Sequence, residues 1–108
     1  REVMKQRGPE AQAQAMEDYF ALLRQFITDL RADLNAVDVP FVAGQVNRKF
    51  SEFNERMLKL PGELPHVSVV TTEGLVTMDE SHFDRASQFE LGRRYGRAML
   101  EAHATGAP

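Results

Sequence analysis

Two short apolar runs, PFVAGQV at 40–46 and VSVVTT at 67–72, flank a stretch with helical spacing, and that order constrains the fold more than any other feature. Runs this short, rich in valine and bounded by Pro, Gly and Asn, read as buried strands. Between them, RKFSEFNERMLKL sets Phe50, Phe53, Met57 and Leu60 on one helical face, and Pro61-Gly62 ends it. Strand, helix, strand is the parallel crossover unit. A longer helix precedes it from Pro9 or Glu10, with Met16, Tyr19, Phe20, Leu23, Phe26, Ile27, Leu30 and Leu34 in one apolar stripe. Arg24, Asp29, Arg31 and Asp33 fall on the other side, and Asn35 to Pro40 stops the helix, since a residue before proline is driven out of the helical region. The aromatic residues of the stripe, Tyr19, Phe20 and Phe26, are expected in the core.

After the second run, a loop from Glu73 to Phe83 leads to a last helix with Asp84 as its N-cap and Leu91, Tyr95, Ala98, Met99 and Ala102 on one face. Residues 1–9, with the breaker Gly8-Pro9, read as a loose lead-in, and 104–108 as a tail. The expectation is one α/β domain over 1–108, in α-β-α-β-α order, with two parallel strands. Two strands make a poor parallel sheet, so either a partner chain completes it or further strands lie outside these residues. Gly92 and Gly96, one turn apart on the last helix, suggest close packing against the sheet or across a subunit interface.

The composition excludes several functions. A formal charge of −3 gives no general attraction to nucleic acid or to an anionic membrane, so neither is an expected partner. Arg85, Arg93, Arg94 and Arg97 cluster on the last helix, but Glu90 and Glu101 interrupt them, which reads as a solvated face. The chain has no cysteine, which rules out disulfides, thiolate metal sites and a cysteine nucleophile. No apolar run approaches the roughly 18 residues of a membrane span, and no signal peptide opens the chain, so the compartment stays open. The first residue is Arg1, which implies an N-terminus that is processed, trimmed or internal to a longer product.

The chemistry concentrates in MDESHFD at 78–84, where Asp79 stands three residues before His82. A carboxylate on one imidazole nitrogen leaves the other basic and aimed, as hydrolysis requires. An acidic loop that happens to hold a histidine has the same letters. Asp79, His82 and Asp84 as a metal site would lack the usual second histidine, and Asp84 serves better as a cap. His66 and His103 read as surface residues.

The residues from Asp79 onward resemble the C-terminal block of the SGNH hydrolases, and among them the carbohydrate esterases of the sialate O-acetylesterase and acetyl xylan esterase type (the SASA family). Asp79-Glu80-Ser81-His82 matches that superfamily's Asp-x-x-His block. His82-Phe83, Gln88, Leu91-Gly92, Arg94 and Tyr95 fall as in the family's closing helix. DLRADLNAVDVPFVAGQV and HVSVVTTEGLVTMD are similar to its preceding helix, turn, strands and loop, so the match spans roughly residues 16–100. The resemblance implies a three-layer, flavodoxin-like sheet of which this chain holds the C-terminal half. It implies hydrolysis of O-acetyl esters on sugars, with His82 as general base, Asp79 orienting it, an acetylated carbohydrate as partner, and no metal or organic cofactor. The family's nucleophile belongs to an earlier Gly-x-Ser-type block. GQVN at 44–47 resembles that block, but Val46 stands where the serine is needed, and we read it as the end of an internal strand. Ser51 and Ser87 read as helix-start residues, Ser68 as a strand residue, and Ser81 as too close in sequence to His82 to serve. The nucleophile is therefore expected to be absent from this chain. The alternative is a stand-alone, non-catalytic domain derived from such an esterase, forming a homo-oligomer that completes the sheet between chains.

Overall fold

In the computed structural model, which describes residues 8–80 and 82–106, the chain divides into two units, Arg1–Val37 and Asp38–Pro108. Most of the expected lead-in, the last two residues of the expected tail, and Ser81 lie outside the described residues.

The first unit is built on one helix, α1 (Pro9–Asp33). Gly8 precedes it at φ 88, a backbone angle that favours glycine, and Pro9 takes the first position, where its missing N–H costs nothing. Helical structure thus begins at Pro9, inside the stretch read as a lead-in. Pairs one turn apart hold the polar surface, with Gln14 donating to Asp18 at 2.9 Å and Gln25 to Asp29 at 2.8 Å. The C-terminus stops for a reason other than Pro40. Asn35 adopts φ 53, its N–H reaches the Ala32 carbonyl at 3.1 Å, and the Ala36 N–H reaches the Arg31 carbonyl at 2.8 Å. This is a Schellman closure, with asparagine accepting the left-handed position usually given to glycine. Phe20 and Ile27 are fully buried, whereas Tyr19 and Phe26 are exposed, so only part of the aromatic stripe is core. Arg31 is buried too, against expectation, because it stands one turn after Ile27 on the same line of the helix.

The second unit holds the sheet. Strands β1 (Phe41–Gly44) and β2 (Val67–Val70) pair in parallel, Phe41 opposite Val67 and Gly44 opposite Val70. Between them run helix α2 (Ser51–Met57) and a 3-10 turn at Leu60–Gly62. Helix α3 (Arg85–Gly106) packs against both strands, and the 3-10 turn packs against β2. Met57, Leu60, Val67, Val70 and Leu75 are the buried apolar side chains of this unit. The fold is α/β with two parallel strands, as the run pattern implied.

Boundaries differ from the sequence reading where side chains replace the ladder. Both strands end early because the Gln45 side chain accepts the Thr72 N–H at 3.0 Å, substituting for a backbone partner. Helix α2 starts late because Asn47 turns the chain, its Oδ1 accepting the Lys49 N–H at 3.1 Å and its carbonyl the Phe50 N–H at 3.0 Å. Asp84 caps α3 as expected, its carboxylate accepting the Ser87 N–H at 2.8 Å. The helix then continues to Gly106, through residues read as tail, since Ala102 and Ala104 favour helix. Gly92 and Gly96 are exposed, and a Cβ built at either would meet nothing within 4 Å, so they are not a point of close packing between this helix and the sheet.

Candidate active site

The loop after β2 is shaped in steps. A turn closes from the Leu75 N–H to the Thr72 carbonyl at 3.1 Å, with Gly74 at φ 80 in the third position, where a side chain would be strained. The chain then doubles back as a narrow hairpin. Asp84 donates its N–H to the Val76 carbonyl at 2.9 Å, Thr77 bridges Phe83, and Met78 donates its N–H to the His82 carbonyl at 2.9 Å. Ser87 ties the base of the hairpin to α3, its Oγ accepting the Val76 N–H at 2.8 Å. Asp79 and His82 face each other at the tip.

There, His82 Nδ1 lies 3.0 Å from both Oδ1 and Oδ2 of Asp79, and the His82 backbone N–H donates to Oδ1 at 2.8 Å. An ionised carboxylate only accepts, so this contact calls for a proton on Nδ1, which in the neutral ring leaves the lone pair on Nε2. Both side chains are exposed, at 64% for His82 and 53% for Asp79. Burial therefore does not hold the pair, and hydrogen bonds must.

Those bonds come from the carboxyl ends of the two strands. Gln45, Asn54 and Thr72 are buried polar residues that satisfy one another. Gln45 Nε2 donates to the Asn54 carbonyl at 2.8 Å, and Thr72 Oγ1 donates to the Val46 carbonyl at 2.7 Å. Asn54 accepts the Val46 N–H at 2.8 Å and donates to the Val46 and Asn47 carbonyls at 3.2 and 3.1 Å. Arg48 Nη1 donates to Gln45 Oε1 at 2.8 Å and to Thr72 Oγ1 at 3.1 Å. From this rigid base, Asn47 Nδ2 donates to the Glu80 carbonyl at 2.7 Å and Lys49 Nζ meets Glu80 Oε1 at 3.0 Å. Glu80 is the residue after Asp79. The stretch GQVN is thus more than a strand end, for Gln45 to Asn47 leave the strand and brace the loop.

Residues 7–101 match the family model of carbohydrate esterases described as sialic acid-specific acetylesterases. The chain belongs to this family. Its sequence finds no match among curated proteins or among solved structures. The family implies an acetylated carbohydrate as substrate, and the α/β architecture with parallel strands accords with the esterase resemblance read in the sequence.

Asp84 is engaged in capping, and among the described residues no three metal-ligating side chains cluster. Ser87 is buried and bonded at the hairpin base, Ser68 lies within β2, Ser51 opens α2, and Ser81 is not among the described residues. On α3, Arg93 and Arg94 both bind Glu90, at 3.0 Å from each Nε, and Arg94 Nη1 also donates to the Thr71 carbonyl at 2.8 Å. The hydrogen bonds from Arg93 and then Arg94 pull the Glu90 carboxyl down from 4.5 to about 2. Gln45, Asn47, Asn54 and Thr72 escaped the sequence reading. The signal for Gln45, Asn47 and Thr72 was polar side chains at the ends of two apolar runs, the place where open α/β sheets build sites, whereas Asn54, inside a helix, gave none.

Proposed function

We propose that this chain supplies the histidine–aspartate part of a serine-type esterase that removes O-acetyl groups from sugars. The observation that carries the reading is the Asp79 carboxylate astride His82 Nδ1, 3.0 Å from each oxygen. In this reading Asp79 holds the tautomer and stabilises the imidazolium. Nε2 takes the proton of a serine hydroxyl as that oxygen attacks the acetyl carbonyl, and returns it to the departing sugar oxygen. Water then repeats the sequence on the acyl-enzyme and releases acetate. The serine comes from outside these residues, within an SGNH-type sheet that extends beyond β1 and β2. In support, Val46 occupies the serine position of GQVN, and Ser68 and Ser87 are committed to strand and hairpin contacts.

The test is acetate release from acetylated sugars by the complete enzyme with His82→Ala. Turnover falls about a thousandfold or more, with folding little changed. Near-normal turnover would remove His82 from the mechanism. The 108-residue chain alone shows no activity above its own His82→Ala control, and a clear His82-dependent rate there would overturn the placement of the nucleophile outside it.

A second reading is favoured by the sheet, in which β1 and β2 pair only with each other among the described residues. An oligomer of a non-catalytic domain would extend the sheet between chains. Sedimentation distinguishes the two: a compact monomer argues against this version.

A further inference from the structure

We infer that Asn47 is a positioning residue for the Asp79–His82 pair, acting through the Glu80 carbonyl. This rests on the esterase reading and adds to it a residue with no catalytic chemistry of its own. Three observations converge. The tip of the hairpin is exposed, so packing does not set the Asp79–His82 geometry. Asn47 itself is locked: its carbonyl accepts from Asn54 Nδ2 at 3.1 Å and from the Phe50 N–H at 3.0 Å, and its Oδ1 accepts the Lys49 N–H at 3.1 Å. From that fixed point its amide donates to the Glu80 carbonyl at 2.7 Å, the shortest link between the strand ends and the tip.

The Glu80 carbonyl, one residue beyond Asp79, is thus held on one side by Asn47, while the Met78 N–H to His82 carbonyl bond closes the other. With both in place, Asp79 has little freedom to swing from His82 Nδ1. Lys49 adds only an exposed ion pair to Glu80, whose side chain is 91% exposed, and such pairs hold little. Asn54, 1% exposed, transmits the order of the strand ends to Asn47.

The experiment reads the tautomer of His82 by nitrogen-15 chemical shifts in the labelled chain, at a pH where the ring is neutral. His82→Ala assigns the signals, and Asp79→Asn defines the ring without its carboxylate. Asn47→Ser and Asn47→Asp both keep an acceptor for the Lys49 N–H, so the turn survives, and both lose the amide donor. In each, the ratio of Nδ1–H to Nε2–H forms falls about fivefold, the equivalent of one ordinary hydrogen bond. Lys49→Ala moves it less. A ratio unchanged in either folded Asn47 variant overturns the proposal. The readout involves no substrate, so it stands apart from the turnover test: active His82→Ala enzyme would sink the esterase reading and leave the tautomer result intact.

Discussion

The Tyr95 hydroxyl of α3 lies directly against the Cα of Gly44, the last residue of β1, in the space a Cβ would occupy. The helix approaches the sheet at this point because Gly44 has no side chain. Gly44→Ala forces the Tyr95 ring aside and costs about 1–3 kcal/mol in urea unfolding. In a Tyr95→Ala background the same substitution costs much less, since the two residues share one volume. Additive losses would show that the contact does not limit packing.

Gly92 and Gly96 behave oppositely. Both lie inside α3 facing open space. Alanine at either position stabilises by about 0.5–1 kcal/mol, through helix propensity and a less disordered unfolded chain. Thermal unfolding checks it, and destabilisation would mean that the exposed glycine face is covered in the native assembly.

Asn54→Ala removes the acceptor of the Val46 N–H and the donor to the Val46 and Asn47 carbonyls. The stranded Val46 N–H and the lost bonds cost about 3 kcal/mol, seen as a lower denaturation midpoint at unchanged slope. A loss below about 1 kcal/mol would mean that the network is replaceable by water.

The Glu90 carboxyl, held at about 2 against an ordinary 4.5, makes a pH-dependent contribution. Because the folded value is depressed, the contribution is complete above about 4.5 and fades as pH falls toward about 2. The protein is therefore more stable than its Glu90→Gln variant at neutral pH, and the gap closes across that acid window. A carbon-13 titration of the carboxyl with a midpoint near 4.5 would show that the two arginine contacts are not kept in solution.

What could be read from the sequence alone was what short-range rules govern. Apolar periodicity placed α1, α3 and the two strands, and the order of runs gave the parallel pair. Asp84 and Ser87, and Asp79 and His82, lie three residues apart, close enough to meet within one turn whatever the rest of the chain does. Even the end of α1 was local, though it turned on the left-handed tolerance of Asn35 and not on the nearby proline. Tertiary structure alone decided the rest. Thr72 meets Gln45 across 27 residues and Asn47 meets Glu80 across 33, because parallel pairing brings the carboxyl ends of both strands to one edge. A one-dimensional pattern carries no record of such partners, since a buried amide is satisfied by whichever backbone group the fold delivers to it. His82 and Asp79 find each other locally, and the hold on their loop comes from residues that only the fold brings near.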